Sequence, residues 1–183
     1  MLRPALKFFK QKIREAILSF YDPAAHTFGN GTHDSLALAT GVFENDPQEK
    51  RLLAASLAKY YVDNGHEFDG GFMSYNIYPE LSRAGYVDDA LKMLVNDSYP
   101  GPARSIKKHD ATTYWEMYIK EPITQRQRGL DFYAFAHPTG WMVTDLAGIR
   151  FDSKIPGGQR LILEPQVPMR EKLDWVEGEM KTQ

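Results

Sequence analysis

The chain has 183 residues, a formal net charge of −2, 43% hydrophobic and 13% aromatic residues; this is enough length and apolar content for one folded domain and excludes a disordered chain. The near-balanced charge gives no electrostatic case for nucleic acid or an anionic membrane, and no apolar run approaches the roughly 20 residues of a membrane span. There is no cysteine, which excludes disulfides, a thiolate nucleophile and a thiolate metal site.

Residues 1–12 mix Lys and Arg with Leu and Phe and lack the long apolar stretch and small-residue cleavage site of a signal peptide. The expectation is a cytoplasmic chain, or a secreted or periplasmic one if a leader lies upstream. From residue 4 to 20, Leu6, Phe9, Ile13, Ile17 and Phe20 recur at helical spacing, with Pro4 suited to the first turn. Residues 21–31 form a loop rich in Pro, Gly and Asn. The next helix runs to Gly41, with Thr32 or Asp34 as its cap. Asn45–Asp46–Pro47 is a helix-start signal, and the helix it opens ends at Asn64–Gly65.

Asp69–Gly70–Gly71 enters a short apolar run, and residues 74–83 read as a helix with Tyr75 and Tyr78 in its early turn. Val87 to Leu94 is amphipathic, with Asp88 and Asp89 placed to favour the helix dipole. Residues 96–110 read as irregular, 111–119 as a helix, and 124–130 as a polar connection. Asp131 to Gly148 reads as a deeply buried helix bent near Pro138 and Gly140. After Pro156–Gly157–Gly158 the runs 160–165 and 173–176 have β character.

The sequence has no phosphate loop, GxGxxG, HExxH or GxSxG. His26, His33, His66, His109 and His137 lack a metal-ligand spacing and read as surface or loop residues, so neither a metal nor a cofactor is expected. The carboxylates are more informative. Glu67, Asp69, Asp110, Glu116 and Asp131 stand at or near helix starts, as do Phe72, Tyr75, Tyr78, Tyr114, Trp115, Phe132, Tyr133 and Trp141. On one rim of a helical ring, such loops would gather these groups over a pocket with the composition of a carbohydrate cleft. The plainer reading stands beside it: the aromatics fill the core, and Glu116 is a solvated helix residue.

The ordered set DGGFM (69–73), YPELSRAG (78–85), ATTYWE (111–116), LDFYAF (130–135), LAGI (146–149) and PGGQRLILEP (156–165) resembles the C-terminal part of bacterial α-L-rhamnosidases of glycoside hydrolase family 78. The resemblance runs from about residue 15 to the end, with ATTYWE its most specific part. It implies an all-α fold, a partial (α/α)6 barrel with about half of the helices, followed by a short β segment. Residues 1–155 would be the partial catalytic barrel and 156–183 the truncated start of a C-terminal β-sandwich. By the same resemblance Glu116 is the general base of an inverting hydrolase of terminal α-L-rhamnosyl linkages. Trp115, Asp69, Tyr75, Phe132 and Trp141 are the implied substrate-binding residues.

Two departures qualify this. Phe132 stands where the family usually has a histidine, and the family's general acid lies in the first half of the barrel, upstream of anything seen here. The resemblance therefore implies little or no hydrolysis by this chain alone. It also implies a carbohydrate partner and a possible homo-oligomer or complementary chain that completes the ring. The alternative is a non-catalytic carbohydrate-binding or assembly module derived from such a barrel. A third reading, a lyase or uronic-acid hydrolase with Tyr114 or Tyr133 as base, lacks a supporting arginine cluster.

Overall fold

The computed structural model describes residues 2–67, 74–116, 118, 129–132, 136–168 and 173–181. The first helix, α1 (Leu2–Leu18), follows the predicted periodicity. Ile17 and Leu18 pack on the core, Arg14 Nε donates to the Val42 carbonyl at 2.7 Å, and Lys10 pairs with Glu44 at 2.7 Å. The remainder of the apolar stripe, Leu6, Phe9, Ile13 and Phe20, is exposed.

Helix α2 (Gly31–Thr40) is capped by Asn30, whose side chain accepts from the His33 N–H at 2.9 Å. This corrects the choice of Thr32 or Asp34. Asp34 instead reaches back to accept from the Phe28 N–H and the Thr27 hydroxyl, both at 2.7 Å, and clasps the preceding loop. Burial pushes its carboxyl up from the usual range, partly opposed by these two bonds. Helix α3 (Pro47–Asn64) starts and ends as its sequence directs. Asp46 accepts from the Glu49 N–H, Pro47 occupies the first turn, and Gly65 ends the helix in the left-handed region at φ 68°.

A 3-10 turn (Ser74–Asn76) leads into α4 (Ile77–Arg83). Pro79 is tolerated because the first-turn N–H it lacks would have no partner inside the helix. Helix α5 is Val87–Val95. The stretch expected to be irregular, 96–110, contains a further helix, α6 (Pro102–His109), which opens on a proline and closes at Asp110 in the left-handed region at φ 51°. Conversely, the helix expected over 111–119 does not form in the described part. Residues 111–116 have no regular secondary structure, because their backbone bonds with residues 129–132 instead.

The long helix expected from Asp131 to Gly148 is shorter than predicted. Phe132 is outside it, α7 covers His137–Trp141, and a π-helical turn follows at Met142–Leu146. Pro138 therefore stands at the start of the helix, and the irregularity is the wider turn that follows. An antiparallel hairpin closes the described fold, β1 (Ile149–Phe151) with β2 (Leu161–Leu163), in register Ile149 with Leu163 and Phe151 with Leu161. Its strands lie on either side of the predicted boundary at residue 155. Gly148 enables the return: at φ 69° a Cβ there would lie 2.2 Å from the Glu164 carbonyl carbon. The run 173–176 is not a strand, although Leu173 and Val176 pack on the core.

Helix α4 touches α2 on one side and α7 on the other, while α3 and α5 also pack against α4 and against each other. The result is two layers of paired helices, an arc of the (α/α)6 arrangement followed by a short β segment. Between them lies an apolar core that includes Leu53, Leu57, Ile77, Tyr78, Leu81 and Trp141. Arg83 ties α4 to the π-helical turn after α7, 2.6 Å from buried Glu80 and 3.7 Å from buried Asp145. Among the described residues no helix is long and apolar enough to cross a membrane.

Candidate functional site

The segment around Trp115 and Glu116 is held by bonds that no helix supplies. Behind it, the Ala111 N–H donates to the Ser105 carbonyl on α6. Along it, the Thr113 hydroxyl donates to the Leu130 carbonyl, the Phe132 N–H to the Tyr114 carbonyl at 2.7 Å, and the Glu116 N–H to the Gly129 carbonyl at 2.7 Å. Tyr114 and Thr139 hydroxyls meet at 3.1 Å, which fixes the segment to α7. Beyond it, the Tyr118 hydroxyl donates to Glu67. A short stretch of chain thus has its position set from several directions, the requirement for placing a reacting group.

On this segment Trp115 is 9% exposed and faces the His109 ring at 5.7 Å between centroids. Glu116 is exposed, with its side chain lying over Gly129. The site therefore pairs a carboxylate open to water with a largely buried indole. Gly129 is required twice. Its φ of 73° disfavours any side chain, and a Cβ would lie 2.4 Å from Glu116 Oε2 and 2.7 Å from Glu116 Cβ. Gly129→Ala is expected to displace the carboxylate and, at about 1–2 kcal/mol for the left-handed backbone, to lower Tm by a few degrees. A thermal melt together with turnover in a complete barrel checks this; no change in either would remove the assigned role of Gly129.

The other expected residues are placed as follows. Tyr75 is exposed, its ring 6.5 Å from that of His137. Phe132 is half-buried and bonded through its backbone to Tyr114. Trp141 lies in the core: it is 1% exposed, its indole N–H donates to Ser82 Oγ at 2.7 Å, and its ring lies 5.3 Å from Tyr78. Asp69, Phe72 and Tyr133 lie outside the described residues. Asp110 and Asp131 are exposed.

Three features of the site go beyond the sequence reading. Glu67 is fully buried and tied to the site through Tyr118. His109 stands behind Trp115, and its place in the last turn before Asp110 was the available signal. His137, expected at the surface or in a loop, is buried against Tyr78 at 5.6 Å. Burial pushes the Tyr78 phenol well above its usual range, and the charges of Glu67 and Tyr114 push it further. A cleft of about 310 Å³ between the 27–29 loop and α3 is lined by Thr27, Asp34, Ser56, Lys59, Tyr60 and neighbours, and shares no residue with the Trp115–Glu116 segment. Among the described residues no group of three or more His, Asp or Glu side chains is arranged to hold a metal ion.

Residues 8–146 match the bacterial α-L-rhamnosidase six-hairpin glycosidase domain. No curated protein matches the chain by sequence. Among solved structures, the native α-L-rhamnosidase of Aspergillus terreus superposes with a TM-score of 0.73 at 19% identity, over 85% of this chain and 18% of that one. The α-L-rhamnosidase of Streptomyces avermitilis complexed with L-rhamnose gives 0.68 at 22% identity, over 81% of this chain and 15% of that one. The α-L-rhamnosidase of Dictyoglumus thermophilum gives 0.66 at 22% identity, over 79% and 16%. At these identities the likeness is one of fold, and the chain spans under a fifth of each of these proteins.

Proposed function

The chain belongs to the bacterial α-L-rhamnosidase six-hairpin glycosidase family, and from that premise we propose that it is the base-bearing portion of an inverting hydrolase of terminal α-L-rhamnosyl linkages. The observation that carries this reading is the pairing of exposed Glu116 with anchored Trp115 on a segment fixed from several sides. Glu116 takes a proton from the water that attacks the anomeric carbon on the face opposite the leaving group. Trp115 shapes one wall of the sugar subsite, and Tyr75, Phe132 and Asp69 are the further sugar contacts that the family resemblance implies. Trp141 supports the site from the core.

Inversion needs a second carboxyl group, roughly 6.5–9.5 Å from the first, to protonate the leaving oxygen. In this reading the acid comes from hairpins outside these 183 residues, and the chain alone turns over little or no substrate. The exposed stripe of Leu6, Phe9 and Ile13 on α1, continued by Phe20 just beyond it, supports a covering partner, either a complementary chain or a second copy. Phe132 favours a second reading, a carbohydrate-binding module without chemistry, because an apolar ring replaces a hydrogen-bonding group at the sugar.

Titration of L-rhamnose against tryptophan fluorescence, run beside an assay on p-nitrophenyl α-L-rhamnoside, tests both. The expected result is a saturable fluorescence change without turnover by the chain alone, and turnover once the remaining hairpins are supplied. A folded chain that shows no saturable response to the sugar overturns the sugar-site reading. Persistent binding with no turnover in the completed barrel selects the module.

A further inference from the structure

We propose that Glu67 is a positioning residue for the Trp115–Glu116 segment, acting through the hydroxyl of Tyr118. The inference builds on the sugar-site reading above but stands on its own geometry. Glu67 follows the end of α3 and is fully buried. A carboxylate is expensive to bury unless donors surround it. One such donor is the Tyr118 hydroxyl, from a residue two positions beyond Glu116 and 51 positions away in sequence.

The placement matters because of what the segment lacks. Residues 111–116 have no helix or sheet ladder, and their bonds to 129–132 fix one edge. The Glu67–Tyr118 bond joins the far end of that segment to the α3–α4 connection, on a different helical pair. It thereby couples the direction in which Glu116 projects to the packed interior.

A second buried hydroxyl lies near enough to feel the charge of the same carboxylate. Tyr78 on α4 is fully buried, and its hydroxyl has no hydrogen-bond partner among the described residues. Its phenol senses the charge of Glu67 and of Tyr114. Glu67 is thus the acceptor for Tyr118, two positions beyond Glu116. Its full burial and its bond to Tyr118 are those of an anchor.

The chain has three tryptophans, so 5-fluorotryptophan labelling gives a three-line fluorine NMR spectrum. The lines are assignable with Trp115→Phe and Trp175→Phe. Tyr118→Phe removes one oxygen and leaves the ring in place. It is expected to shift the Trp115 line by more than its width while leaving the exposed Trp175 line and the core Trp141 line unmoved. Glu67→Leu should move the Trp115 line the same way, and the double variant should move it no further than either single change. Glu67→Gln, which keeps an acceptor oxygen, should restore a near-native line. A Trp115 line that stays in place in both Tyr118→Phe and Glu67→Leu overturns the proposal. So does a Trp141 line that moves with it in Tyr118→Phe, which would mean general loosening. Adding L-rhamnose to the same samples separates the two claims. A wild-type Trp115 line that ignores the sugar counts against the sugar site and leaves the anchor intact.

Discussion

Trp141→Ala will lower stability by about 3–5 kcal/mol, the range for removing a buried tryptophan, and Tm by on the order of 10 °C in a chain of this length. The indole is 1% exposed and packs on α4, with its ring 5.3 Å from Tyr78 and its N–H on Ser82 Oγ at 2.7 Å. Alanine leaves a cavity where two helical pairs meet and removes the donor to Ser82, itself buried. Trp141→Phe separates the two losses. It keeps most of the ring volume and drops the hydrogen bond, so about 1 kcal/mol should be lost. Thermal unfolding followed by circular dichroism gives both numbers. A fall in Tm of under about 2 °C for the alanine variant would contradict a core role. Such a result, combined with weakened L-rhamnose binding, would return Trp141 to the cleft.

Trp141 also shows what the sequence could convey. Its family-like position suggested the sugar, but only the packing of α7 against α4 determines which way the ring points. Signals contained within a few residues were legible. Asp46–Pro47 opens α3 and Gly65 closes it, because cap, proline and left-handed glycine each act on their own turn. Where several residues could cap, as with Asn30, Thr32 and Asp34, the choice depended on Phe28 and Thr27 capturing Asp34. Helix α6 was hidden by the breakers Pro100, Gly101 and Pro102, which read as loop but include the proline that starts it.

The error at 111–119 has a different cause. Its residues tolerate a helix, and only the distant strip 129–132 draws the backbone into extended pairing. The same limit applies to the site. The motif ATTYWE named Trp115 and Glu116, yet their support comes from Gly129, His109, and Glu67 through Tyr118, residues that no local pattern connects.

Glu116→Gln is the substitution that bears most directly on chemistry. Glutamine has the same shape, keeps the backbone bond from residue 116 to Gly129, and fits over the glycine as glutamate does. Fold and Tm should therefore be unchanged, and L-rhamnose affinity should stay within a small factor, since the removed function is proton acceptance and not sugar contact. In a complete barrel containing this segment, kcat on p-nitrophenyl α-L-rhamnoside should fall by about 10² to 10⁴, equivalent to about 3–5 kcal/mol of lost transition-state stabilisation. Azide gives the sharper discrimination. It is a nucleophile that needs no deprotonation, so it should restore turnover to Glu116→Gln while leaving a Trp115→Ala variant, impaired in subsite shape, unrescued. If Glu116→Gln retains nearly full kcat, the base is another group and the exposure of Glu116 is only that of a surface residue. If activity is lost together with Tm, the carboxylate is holding the segment and the loss is structural. Only a rate loss at constant stability, reversed by an anion that bypasses the proton, fits a general base.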